Sequence, residues 1–152
     1  MTCHAGGLDH VVDDSAQADA VEVPVATLDS LLDGQVPVAM KIDVEGFELR
    51  ALKGASRTLA SPELKAIVIE LQDWTLKKFG TSERECRALL MGFGFQPHSY
   101  DPATRTLTQV AAGTARELNE IFVRPDDMVA ERLASGETVG RLGIADFPAL
   151  HD

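Results

Sequence analysis

Two apolar runs, each ending in acidic side chains, set the strongest limit on how this chain folds. Residues 36–42 read V-P-V-A-M-K-I, with Lys41 as the only charge, and residues 65–71 read K-A-I-V-I-E-L, rich in β-branched side chains. Runs of this length read as strands. A run without polar alternation fits a strand covered on both faces, as in a parallel sheet. Pro37 lies near the start of the first run, where a missing ladder donor is tolerated. Between the runs, Phe47, Leu49, Ala51 and Leu52 repeat at helical spacing, Gly54 ends that helix, and a further turn carries Ser56 to Leu59. Strand, helix and strand in this order predict an α/β layer fold with a mainly parallel sheet.

The flanking segments extend the pattern. Residues 21–25 alternate apolar and polar, and Pro24 confines them to a strand edge or end. Thr27 is placed to cap a short helix that Gly34 stops. Thr81 or Ser82 caps a later helix whose apolar stripe is Cys86, Leu89, Leu90 and Phe93, and Gly92 and Gly94 end it. Residues 95–100 and 107–110 read as a strand and its return. Residues 119–123 (N-E-I-F-V) read as another strand, closed by Pro125, and a helix follows from about Asp126 to Ala134. The hairpin-like stretch from 95 to 123 predicts an antiparallel strand that finishes the sheet. Three parts are expected: a loose lead-in over 1–20, a folded unit over 21–125, and a helix and tail over 126–152.

Composition narrows the function. At 152 residues, with 45% apolar and 25% charged side chains, the chain matches one ordinary globular domain and is neither disordered nor fibrous. No apolar run approaches the roughly 20 residues needed to span a bilayer. The first residues show no basic segment followed by an apolar stretch, so no secretory signal is expected there. Asp and Glu outnumber Lys and Arg 24 to 14, a net charge of −10 that repels a phosphate backbone. The basic groups Arg50/Lys53/Arg57, Lys77/Lys78 and Arg84/Arg87 read as solvated helix faces, so no nucleic-acid partner is expected. Two cysteines, Cys3 and Cys86, are too few for a disulfide scaffold, and a reducing cytoplasmic setting follows.

The chemistry concentrates where the two runs end. In open α/β sheets, ligands bind beyond the carboxyl ends of the strands. Asp43 and Glu45 follow the first run, and Glu70 lies in the second, ahead of Gln72 and Asp73. Gly46 permits a sharp strand-to-helix turn. Residues 43 and 45 share a side if the chain stays extended between them, and Glu45 alternatively sits at the helix N-terminus. Converging acids of this kind serve as a general base, a grip on substrate hydroxyls or a cation site. The competing structural roles are a helix cap for Glu45 and an ion pair with Lys41 or a helix lysine for Glu70. Trp74 either lines the crevice or packs. His98 is a lone strand histidine, and His4, His10 and His151 lack metal-site spacing. Gly92-Phe93-Gly94 ends a helix and so is no nucleotide loop, and no G-x-S-x-G, Walker or H-E-x-x-H motif occurs.

The order of segments resembles the FkbM-type methyltransferase family. The residues that carry the resemblance are V-P-V-A-T-L-D-S-L-L at 23–32, K-I-D-V-E-G-F-E at 41–48, L-K-G-A at 52–55, I-V-I-E at 67–70 and N-E-I-F-V-R-P at 119–125. The resemblance implies a class I methyltransferase fold of Rossmann-like type, with S-adenosyl-L-methionine as methyl donor and a hydroxyl of a sugar or secondary metabolite as acceptor. It makes residues 36–42 the fourth strand of that fold and 67–71 the fifth. By resemblance, Asp43 and Glu45 are catalytic, Asp43 and Gly46 contact the cofactor, and Lys41, Glu70 and Trp74 bind the acceptor. No metal is implied. The family's glycine-rich cofactor loop belongs upstream of residue 21, where Gly6-Gly7 sits in no strand–loop–helix context, so the chain is expected to be the C-terminal half of the domain. The missing strands would leave one edge of the 36–42 strand unpaired, an invitation to a second copy or a complementing chain. A non-catalytic interaction module and a metal-dependent hydrolase built on Asp43 and Glu70 are the alternatives.

Overall fold

A computed structural model describes residues 24–114 and 119–136. The elements in chain order are α1 (Leu28–Leu31), β1 (Ala39–Ile42), α2 (Glu48–Lys53), α3 (Ser56–Ala60), β2 (Ala66–Glu70), α4 (Asp73–Lys78), α5 (Glu83–Gly92), β3 (Gln96–Asp101), β4 (Thr106–Gln109), β5 (Asn119–Val123) and α6 (Asp127–Ser135). Among the described residues, no helix is long and apolar enough to cross a membrane.

The helix boundaries follow local chemistry. Thr27 accepts the Ser30 N–H at the start of α1, Ser82 accepts the Glu85 N–H at the start of α5, and Asp126 accepts the Met128 N–H at the start of α6. Each satisfies an amide that a first turn leaves without an internal partner. Asp29 in α1 performs the same task at long range. Its carboxylate accepts the Arg57 and Thr58 N–H groups at 2.8 and 3.0 Å and the Thr58 hydroxyl at 2.7 Å, which locks α1 onto α3. Helix α4 is absent from the sequence-based expectation. It starts directly after β2 with Gln72 at its cap position, and no cap side chain announces it.

The sheet order is β1-β2-β5-β3-β4. Among the described residues, only β1 and β2 pair in parallel; β2–β5, β5–β3 and β3–β4 are antiparallel. The expected mainly parallel sheet is therefore corrected to a mixed one. β4 does finish the sheet as an antiparallel edge, but β5, also antiparallel, inserts between β2 and β3. Arg124, just past β5, helps to hold it there. Its backbone N–H bonds the Lys65 carbonyl at 2.9 Å, and its guanidinium donates to the carbonyls of Leu64, Phe93 and Leu59.

One face of the sheet carries the core. Ile42, Ile67, Ile69 and Phe122 pack with Leu49, Leu52, Leu59, Leu76, Cys86 and Leu90 from the helices. On the other face, Lys41 is exposed and Val68, Glu70, Ile121 and His98 are half-buried. The two apolar runs are thus covered on one face by described residues, and β2 alternates between buried and half-buried positions. β1 is a four-residue strand paired only with β2 among the described residues. Residues 21–23, the expected cofactor-loop region before them, Gly6-Gly7, Cys3, the terminal histidines and the tail after Gly136 lie outside the described residues. Pro24 and Val25 are not in a strand.

Candidate functional site

The site is built where β1 and β2 end. β1 closes on buried Ile42, and the chain then turns sharply into α2. Two successive left-handed residues make that turn, Glu45 at φ 51° and Gly46 at φ 108°. Gly46 is required there, because a Cβ would meet Phe79 Cδ2 and the Thr75 carbonyl oxygen, each at 2.7 Å. The glycine therefore seals the turn against α4, and its side-chain direction is filled by protein. That geometry gives Gly46 a packing role.

Asp43 stands at the mouth of the turn. Lys41 donates to its Oδ2 at 2.5 Å. The Lys41 ammonium holds the Asp43 carboxyl below its ordinary value against the opposing effect of burial, and Glu70, within hydrogen-bonding reach from β2, adds to the lowering. Glu70 in turn accepts from the Gln72 side-chain amide. The structure thus brings together Lys41, Asp43 and Glu70, with Gln72 as a fourth member. Asn119 at the start of β5 is paired in register with Glu70, so its side chain shares the Glu70 face. It is a residue that strand reading placed but did not connect to the site. Only the antiparallel insertion of β5 beside β2 brings it there.

Other expectations shift. Glu45 is left-handed, so residues 43 and 45 do not lie along one extended strand, and Glu45 precedes the first residue of α2 by three positions. The acid that serves the turn is Glu48, which sequence reading missed. Its Oε1 accepts the Val44 and Gly46 N–H groups at 3.2 and 3.1 Å. The signal was available in sequence as an acid within an apolar helix face. Trp74 lies in the first turn of α4 and is 56% exposed, with the Lys78 ammonium 4.3 Å from its ring centroid. It does not pack in the core. His98 Nδ1 lies 2.9 Å from the Gln96 carbonyl oxygen on β3.

The basic clusters do not all form solvated faces. Arg87 pairs with Glu83 and with buried Glu120. Lys77 pairs with Asp73, and Arg50 lies over the Phe47 ring. Among the described residues, no group of three or more His, Cys, Asp and Glu side chains is placed to hold a metal ion. A separate small cleft between α1 and α3, lined by residues including Leu32, Gln35, Val36 and Arg57, contains Asp29, which is already engaged in capping α3.

Asp43 and Glu70 lie at the carboxyl ends of the parallel pair β1 and β2, each followed by a helix, the place where open α/β sheets generally bind ligands. The model of the methyltransferase FkbM domain matches residues 4–97, and the chain belongs to that family. The match takes in Lys41, Asp43, Glu45, Gly46, Glu48, Glu70 and Trp74. It ends inside β3, so the 119–125 segment and Asn119 lie beyond it. No curated protein and no solved structure matches the chain.

Proposed function

We propose that this chain supplies the acceptor side of an S-adenosylmethionine-dependent O-methyltransferase acting on a hydroxyl of a sugar or secondary metabolite. The observation that carries this reading is the convergence of Asp43 and Glu70 at the strand ends of a chain in the methyltransferase family. Methylation of a hydroxyl requires its oxygen to be aimed and its proton to leave. A carboxylate within hydrogen-bond distance does the first, and one with a raised pKa does the second well. Asp43 is held low by Lys41, which suits it to aiming the hydroxyl as a fixed anionic acceptor. Lys41 fixes its direction. The exposed face of Trp74 offers stacking area for a ring-shaped acceptor.

S-adenosylmethionine, when bound, supplies a methyl group on a positively charged sulfonium. The donor set at the strand ends fits that charge: Asp43, Glu45 and Glu70 are all acidic. Gly46 does not fit as a cradle, for the packing reason given above. The glycine-rich loop expected upstream would come from residues outside those described or from a complementing chain. Titration calorimetry of S-adenosylmethionine into the full chain tests the proposal. Saturable binding that Asp43→Lys abolishes is expected, and no saturable binding would overturn it for the chain acting alone.

A specific observation favours a second reading, an interaction module. Among the described residues, β1 has no partner on its outer edge, and Val38 and Val44 beside it are 50% and 38% exposed. An unpaired edge with apolar flanks is a template for strand addition from a second copy or a complementing chain. Sedimentation equilibrium would show concentration-dependent self-association that Ala39→Pro, at an amide facing the open edge, removes. A monomer at high concentration counts against it.

A further inference from the structure

We propose that Glu48 is a positioning residue, whose buried carboxylate fixes the turn at 43–46 and thereby sets the direction of the Asp43 carboxylate toward Glu70. This inference rests on the role proposed for Asp43 and adds a residue that does not touch the acceptor.

Two independent observations support it. The first is the hydrogen bonding. From the first turn of α2, Glu48 Oε1 reaches back to two amides of the preceding turn, Val44 N–H at 3.2 Å and Gly46 N–H at 3.1 Å. Those amides flank Glu45, a non-glycine residue held left-handed, a conformation that costs of order 1–3 kcal/mol and persists only where the surroundings over-determine it. The second is burial. Glu48 is 2% exposed, and its Oε2 has no hydrogen-bond partner. An unpartnered buried carboxylate oxygen is unfavourable for stability. A residue serving packing alone at this position, beside Leu49 and Leu52 in the core, would be apolar. The carboxylate is explained by what its other oxygen holds, which is the turn that presents Asp43 and Glu45 outward.

Rigidity reaches the site through a short path. Helix α2 is anchored by Leu49 and Leu52, and its N-terminal acid grips Val44, the residue next to Asp43. With the grip removed, the turn gains alternative conformations, and the Lys41–Asp43–Glu70 contacts become intermittent.

The test uses the full chain without cofactor or acceptor. In the wild-type protein, the Asp43 side-chain carboxyl followed by NMR should titrate below the ordinary value of 3.8. In Glu48→Ala, its midpoint should rise toward that value. Exchange of the Val44 and Gly46 amide protons should speed up at least about tenfold, while Ile67 and Phe122 in the sheet stay protected. Glu48→Gln keeps one acceptor oxygen and should restore most of both effects. A lowered melting temperature with the Asp43 midpoint unmoved would make Glu48 a packing residue only and overturn the proposal. If Glu48→Ala does not fold, Glu48→Gln decides alone. Loss of charge on the acceptor should move the Val44 and Gly46 amide proton resonances upfield, and unmoved resonances would overturn the proposal. These readouts are independent of methyl transfer, so failure of the transferase reading and failure of this inference are separable.

Discussion

Two charged clusters lie at the same end of the β2–β5 pair, on opposite faces of the sheet, and they are built to opposite rules. On the helix-covered face, Glu120 is 5% exposed. It accepts from Arg87 Nε with both oxygens at 3.0 Å, while Arg87 also donates to Glu83 at 2.8 Å. On the other face, one residue along β2 from Ile69, the partner of Glu120, Glu70 joins Asp43 and largely exposed Lys41. The inner cluster pairs its charges inside the protein and ties α5 to β5. The outer one pairs its charges closely but in a solvent-exposed setting. Similar residues thus form a largely buried ion-pair network on one face and a solvent-screened one on the other.

The sharpest way to break this comparison is to remove one inner partner. Glu120→Ala should cost about 3–5 kcal/mol by chemical denaturation, because Arg87 is left with Glu83 alone in a largely buried setting. Arg87→Met combined with Glu120→Leu should recover much of that loss, since apolar packing replaces the pair. Next in size is Gly46→Ala, expected to destabilise by about 2–3 kcal/mol. It combines a positive φ with contacts at 2.7 Å to Phe79 and the Thr75 carbonyl. Removal of an outer partner should matter far less to the fold. Asp43→Asn should shift stability by less than about 1 kcal/mol in the same assay, because its pair with Lys41 is solvent-screened. A large stability loss there would erase the distinction between the clusters.

Smaller effects sharpen the picture through pH and reactivity. Asp29 and Asp43 are both held below the ordinary 3.8. For Asp29, the bonds from Arg57 and Thr58 outweigh the upward push of burial. For Asp43, the bond from Lys41 does so. A lowered folded pKa means the unfolded chain binds more protons in that window. Their contribution is therefore complete above about pH 5 and is lost as pH falls through 3.8 and below. Melting curves between pH 6 and pH 3 should show this decline, and Asp29→Asn should flatten it. Burial pushes the Cys86 thiol up to about 12, with Glu48 and Glu85 adding to the rise. Iodoacetamide should therefore label Cys86 slowly at pH 8 in the native chain and rapidly in denaturant.

Much of the local structure was legible because its causes are local. Thr27, Ser82 and Asp126 announce their helices through side-chain oxygens placed three or fewer residues before the amides they accept, and 119–123 is a strand by composition alone. Helix α4 was not legible, because D-W-T-L-K-K is short and opens behind Gln72 rather than behind a capping serine, threonine or aspartate. Lys41, Asp43 and Glu70 were legible as strand-end polar groups. Glu48 was legible only as an acid on an apolar helix face, with nothing to say what it holds, and Asn119 was hidden by its distance along the chain.

The sequence by itself determined that two apolar strands alternate with helices, that acids cluster at their ends, and that the chain resembles a methyltransferase family that the domain match then showed. Those features depend on spacing, caps and the polarity of neighbouring residues. Only the tertiary structure decided that β5 runs backwards between β2 and β3, that described helices cover one face of the sheet, and that Glu48 rather than Glu45 serves the turn. Each of these depends on which backbone edge finds a partner and which carboxylate loses its water. Contacts between residues far apart in the chain settle both.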